Sequence, residues 1–122
     1  MPSGHLLMSN LSDKVKVIVK EVLQFYRLEE EYFVFYKNQK LYFDFYLPEL
    51  SLLIEVQGNQ HYEFVEHFHG DSQGFTNSKR RDRMKQDYAF DNKLTLLTLD
   101  EKAVNKLDGQ RLLEEIEKSK NE

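Results

Sequence analysis

The stretch that decides the fold is Leu41–His61, LYFDFYLPELSLLIEVQGNQH. It reads as two strands joined by the turn Pro48-Glu49-Leu50-Ser51, with proline opening the turn and aromatic and branched residues on both flanks. With the turn centred there, cross-strand partners have residue numbers summing to 99. Asp44 then faces Glu55, Tyr42 faces Gln57 and Phe45 faces Ile54. Period-2 alternation assigns Phe43, Phe45, Leu52, Ile54 and Val56 to one side. Tyr42, Asp44, Tyr46, Leu53, Glu55 and Gln57 take the other. Two carboxylates at a Cβ separation of about 5 Å repel each other. A divalent cation between them removes that cost, because Mg²⁺ and Ca²⁺ require oxygen donors. The stretch therefore reads as a metal site carried on a hairpin.

Outward from the hairpin, the chain of 122 residues has the length and the 40% hydrophobic content of one soluble domain. Cysteine is absent, which removes disulfides and thiolate ligands and leaves oxygen and imidazole for any metal. No apolar run reaches the roughly 18 residues of a membrane span, and no signal-peptide pattern opens the chain. The expected location is cytoplasmic, with no membrane partner. The net charge is −4, but it is unevenly placed. Lys79-Arg80-Arg81-Asp82-Arg83-Met84-Lys85 holds five cations and one acid, leaving the remainder strongly acidic.

Before the hairpin, residues 1–11 read as a flexible tail and residues 12–122 as a single domain. Ser12-Asp13 suits a helix start, and Val15, Ile18, Val19, Val22, Phe25 and Tyr26 form an apolar stripe to about Arg27. Glu29-Glu30-Glu31 reads as a loop, Tyr32–Tyr36 as a strand and Lys37–Lys40 as a turn. After the hairpin, residues 67–74 read as a loop near a substrate, and His67, His69 and Asp71 there match no strong ligand spacing. Asn77–Asp91 reads as a helix capped by Asn77 or Ser78, with Met84, Tyr88 and Ala89 inward. Leu94–Leu99 suits a strand buried on both faces. Asp108 caps a last helix whose buried stripe is Leu112, Leu113 and Ile116. The order α-β-β-β-α-β-α predicts an α/β fold, a mixed sheet of about four strands flanked by helices.

Asp44 followed by Glu55-Val56-Gln57 resembles the PD-(D/E)XK, or restriction-endonuclease-like, nuclease superfamily. FDFYLPE, IEVQGNQHY and KRRDRMKQDYA, followed by an Asn-Lys turn and an apolar strand, resemble its branch of very-short-patch-repair (Vsr-like) nucleases and EDxHD phage homing endonucleases. The resemblance covers roughly Glu21 to Asp100. It implies a restriction-endonuclease-like core and a Mg²⁺ ion, with Mn²⁺ as a substitute, on Asp44, Glu55 and the carbonyl of Val56. Gln57 stands where the superfamily normally has lysine. Glu21, His61 and Asp82 match the branch's remaining catalytic positions, on the first helix, after the third strand and in the next helix. Lys79, Arg80, Arg81, Arg83 and Lys85 would hold the phosphate backbone, and Lys85 supplies a charge that Gln57 lacks.

The resulting expectation is a metal-dependent endonuclease acting on DNA, duplex or branched, with RNA open as a second class. A homodimer is one route to cutting both strands. The alternative, motivated by Gln57, is a non-catalytic nucleic-acid-binding or adaptor module on the same fold. A third reading is a protein-interaction domain whose surface is Tyr42, Tyr46 and Tyr62.

Overall fold

The computed structural model describes residues 4–57 and 72–121. The chain forms α1 (Gly4–Val22), β1 (Glu29–Tyr36), β2 (Gln39–Leu47), a 3-10 turn at Pro48–Leu50, and β3 (Leu52–Gln57). It continues with α2 (Ser72–Asp91), β4 (Thr95–Asp100), α3 (Glu101–Asn105) and α4 (Gly109–Lys120). The sheet order is β1-β2-β3-β4, with β3 and β4 parallel and the other neighbours antiparallel. This is the expected α/β arrangement of a four-stranded mixed sheet flanked by helices. No helix among the described residues is long and apolar enough to cross a membrane.

Two apolar clusters cover the two faces. On one, Phe45, Leu47, Leu52, Ile54, Val56, Leu97 and Leu99 pack against Leu11, Val15 and Val19 of α1, Val104 of α3 and Leu112 and Ile116 of α4. On the other, Leu41, Phe43 and Leu53 pack beneath Met84, Tyr88 and Ala89 of α2. β4 feeds both, through Leu97 and Leu99 on the first face and half-buried Leu96 on the second. It is thus not buried on both faces throughout, since Thr98 is exposed.

The turns follow from local chemistry. Lys37 and Asn38 both have positive φ, the requirement of a two-residue hairpin turn that keeps the right-handed strand twist. Ser51 closes the Pro48 turn at φ 51°, donating its N–H to the Pro48 carbonyl at 3.1 Å. Asp100 and Asp108 cap α3 and α4 by accepting the N–H groups of Ala103 and Arg111, each at 2.8 Å.

Several boundaries depart from the sequence expectation. The first helix starts at Gly4, inside the expected tail, and its buried row is Leu11, Val15 and Val19, four residues apart. It stops at Val22, where the chain turns and Glu49 accepts the Arg27 N–H at 2.6 Å. Phe25, expected in the stripe, is consequently 88% exposed and Tyr26 also faces solvent. Glu29–Glu31 opens β1 instead of forming a loop, because Glu29 and Glu30 pair with Tyr46 and Phe45 in the β2 ladder, with Lys16 and Lys20 of α1 beside Glu30 at 3.1 and 3.9 Å. The second long helix starts at Ser72, which shortens the expected loop. Leu113 is 46% exposed, outside the buried row of α4.

The consequential departure is at the site itself. The β1–β2 pairing runs Glu30 with Phe45 and resumes Tyr32 with Phe43, passing over Glu31 and Asp44. Glu31 has φ 49°, so β1 is not extended there. The alternation changes phase at this step. Phe45 packs on the α1 side while Phe43, two residues away, packs on the α2 side. Phe43 therefore does not share a face with Phe45, Leu52, Ile54 and Val56. Truncating the fully buried Phe43 to alanine should cost about 3–5 kcal/mol in urea unfolding. Phe35→Ala, on the exposed side of the same ribbon, should stay within about 0.5 kcal/mol.

Candidate metal and nucleic-acid site

The predicted register holds where β2 and β3 are paired: Phe45 with Ile54, Tyr46 with Leu53 and Leu47 with Leu52. One step further, where Asp44 and Glu55 should face each other, the backbone ladder stops. Side chains replace it. The Asp44 N–H donates to Glu55 Oε1 at 3.1 Å, and the Val56 N–H donates to Asp44 Oδ2 at 2.7 Å. Each carboxylate thus satisfies a main-chain donor of the opposite strand, which a buried backbone requires. The phase change at Asp44 makes this possible, because its N–H has left the β1 ladder. Tyr42, expected opposite Gln57, pairs instead with Phe33 on β1.

Glu55 is 8% exposed, and it is the one buried charged residue among the described residues whose burial is assigned. Burial pushes its carboxyl above the ordinary range, against the opposing pull of the Lys85 ammonium. Burial likewise raises Asp44, with Val56 N–H and Lys85 opposing it and Glu31 reinforcing it. Lys85, projecting from α2, donates to Glu55 Oε2 at 2.6 Å and lies 5.6 Å from the centre of the Phe43 ring. The Lys85 and Glu55 side chains are 13% and 10% exposed, so this is a largely desolvated ion pair. Removing one partner of such a pair is costly, because the other charge is left buried and alone.

Asp44 also lines an open groove of about 410 Å³ with Ser12, Asp13 and Lys16 of α1 and with Glu30, Glu31 and Phe45. Glu21 does not line it. It is exposed in the last turn of α1, whereas Asp13 is the acid that this helix presents to the groove. Asp82 is half-buried one turn before Lys85 on α2. Lys79, Arg80, Arg81 and Arg83 are exposed along the same helix. Gln57 is half-buried at the end of β3, beside Asp100 of β4. His61, His67, His69, Asp71 and Tyr62 lie outside the described residues. Tyr42 and Tyr46, expected on one surface, are separated: Tyr42 is exposed, while Tyr46 packs on Tyr32 with ring centres 4.3 Å apart beneath α2.

The structure thus brings together Asp44, Glu55, Val56 and Lys85. Among the described residues no three His, Asp or Glu side chains form a metal-holding group. Two carboxylates remain, Glu55 buried and Asp44 half-buried, both raised by desolvation and both offering oxygen, the donor type that Mg²⁺ and Mn²⁺ take. That donor set fits a hard divalent ion whose coordination is completed by backbone carbonyl and water. Three features were missed in the sequence: Glu31 and Asp13, which line the groove with Asp44, and the commitment of Lys85 to Glu55.

No protein-family profile and no solved structure matches the chain. A stretch of 52 residues is 42% identical to the uncharacterized protein 307L of Invertebrate iridescent virus 6. That similarity covers 43% of this chain and 26% of the viral protein, so the chain spans about a quarter of the relative it matches.

Two measurements test the electrostatics in metal-free protein. A carboxyl raised by folding contributes stability below its unfolded value of about 4, and this is lost as pH rises through its folded value. Asp44→Asn should therefore raise the melting temperature at neutral pH, and the gain should shrink as pH falls toward 4. Lys85→Met should cost about 3–5 kcal/mol, and the double change Glu55→Gln/Lys85→Met should recover most of it.

Proposed function

We propose that the chain is a metal-dependent DNA endonuclease of the restriction-endonuclease-like type, hydrolysing phosphodiester bonds at Asp44 and Glu55. The observation that carries this reading is the facing carboxylate pair, Glu55 buried and Asp44 half-buried, held by reciprocal side-chain-to-backbone bonds and bordered by the ammonium of Lys85. Asp44, Glu55 and the Val56 carbonyl would hold Mg²⁺ or Mn²⁺. Such an ion, when bound, polarises a scissile phosphate and lowers the pKa of an attacking water.

The chain's own residues supply the rest. Lys85 fixes the Glu55 carboxylate and brings a cation to the place where Gln57 has none to offer. The exposed Lys79, Arg80, Arg81 and Arg83 hold neighbouring phosphates without reading base sequence. His61 carries the proton exchange, taking one from water or giving one to the leaving oxygen as the P–O bond breaks. Asp82 and Glu21 would take the roles that the family resemblance implies, Asp82 by orienting the imidazole or contacting the hydrated metal and Glu21 from its exposed place outside the groove. The similarity to a viral protein is consistent with a viral setting, such as genome processing or homing.

One observation favours a second reading, a nucleic-acid-binding module without catalysis. Lys85 already neutralises Glu55 without a metal. The two readings separate in one experiment, in which supercoiled plasmid is incubated with Mg²⁺ or Mn²⁺ and wild type is compared with Asp44→Ala, Glu55→Ala and Lys85→Ala. Metal-dependent nicking or linearisation is expected for wild type and should vanish in the two carboxylate variants. Lys85→Ala should lower it roughly 10- to 100-fold, the usual effect of removing a partner of a metal-binding side chain. Salt-dependent DNA binding without cleavage by wild type would give the site to the binding module.

A further inference from the structure

Among the described residues, the β1–β2 ribbon carries an exposed aromatic strip. Phe33, Phe35 and Tyr42 are 46%, 66% and 55% exposed. They share one side of the ribbon, because Phe33 pairs with Tyr42 and Phe35 with Lys40 while Tyr32, Val34, Leu41 and Phe43 fill the opposite side under α2. The rings order one another: Phe33 stacks on Tyr42 at 5.6 Å and meets Phe35 edge-on at 5.5 Å. Lys40, on the same side, sits 5.9 Å from the Phe35 ring centre, whereas Lys37 sits over Tyr36, whose ring packs on the α2 side.

Two facts identify the occupant. The strip is continuous with the candidate site: along β2 the order is Lys40, Tyr42, Asp44, and along β1 it is Phe35, Phe33, Glu31. At about 3.3 Å per residue, Tyr42 stands roughly 7 Å from Asp44. The groove of Asp44 and Glu31 opens on this side of the ribbon, where Glu30, Phe45 and α1 lie. The cation beside these rings is Lys40, and the acids Glu30, Glu31 and Asp44 line the groove end. Aromatic faces flanked by a cation and running into the Asp44 groove match a nucleic-acid strand whose bases are unstacked and free to lie on the rings. A continuous duplex keeps those base faces inside its own stack.

We infer that Phe33, Phe35 and Tyr42 form a stacking platform for two or three unpaired nucleotides beside the phosphate held at Asp44 and Glu55. The inference rests on the nucleic-acid reading of that site and narrows its substrate to single-stranded, looped or frayed nucleic acid. The basic face of α2 lies on the opposite side of the sheet and supplies backbone contacts, while the platform selects for unpaired bases.

The test uses the intact chain and fluorescently labelled oligonucleotides without divalent metal: a single strand, the matching duplex and a duplex with a central unpaired bubble. Wild type should bind the single strand and the bubble at least tenfold more tightly than the duplex. Phe35→Ser and Tyr42→Ser should each weaken single-strand binding roughly tenfold, within the range of one lost base–aromatic stack, and leave duplex binding unchanged. Tyr42→Phe should retain wild-type affinity, and because all of these side chains are exposed the variants should melt as wild type does. Unchanged single-strand affinity in both serine variants overturns the platform, even where wild type cuts DNA in a metal-dependent way. Ring-dependent single-strand binding without cleavage keeps the platform and removes the nuclease reading. Light scattering that shows a dimer dissociated by Phe35→Ser, with no preference for single strands, assigns the strip to a second copy and also overturns it.

Discussion

Everything near the candidate site depends on how one buried and one half-buried carboxylate share a gap in the sheet. Asp44 and Glu55 stand where like charges should repel, and the protein keeps them there by giving each a backbone N–H from the opposite strand. That exchange replaces two rungs of the ladder and opens β2 from β3 beyond the Phe45–Ile54 pair. The remaining negative charge is opposed by Lys85, brought down from α2. The arrangement remains costly for the ionised acids, since burial outweighs their partners and raises both. Buried, poorly compensated carboxylates are a recurring mark of functional sites.

The same gap organises the two cores. Because β2 changes phase at Asp44, its lower half buries Phe45 and Leu47 against α1, α3 and α4, and its upper half buries Leu41 and Phe43 against α2. One strand therefore serves both layers, and the site sits at the crossing. Beyond that point the ribbon extends past α1, which leaves Phe33, Phe35 and Tyr42 open on the α1 side. A single irregular step, Glu31 in β1 against Asp44 in β2, thus shapes the groove and the exposed aromatic face together.

Much of this was legible in the residues. The Pro48 turn fixed the β2–β3 register, and the Asp108 cap and the Leu112–Ile116 row placed the last helix. Met84, Tyr88 and Ala89 were recognisable as the inward side of the basic helix. The errors share one cause: tertiary contacts overrode local pattern. Pairing with β2 drew Glu29 and Glu30 into a strand, and the helix ended at Val22, ahead of the Arg27–Glu49 contact, cutting short a stripe that spacing alone carried on to Tyr26. The exposed side of the ribbon was visible as the alternation Tyr32, Phe33, Val34, Phe35, Tyr36. Alternation alone does not say which of two apolar sides is covered.

The sequence by itself determined that an aspartate and a glutamate would meet across adjacent strands, because turn geometry and the two-residue period leave them one register. It also determined that a strongly basic helix would follow. Only the tertiary structure decided that Lys85, alone among those cations, would turn inward to Glu55, that Asp13 and not Glu21 would face the groove, and that β2 would change sides at Asp44. Those outcomes depend on burial and on contacts between residues as far apart as Glu55 and Lys85. Such contacts are set by how the layers close on each other, and no local spacing encodes them.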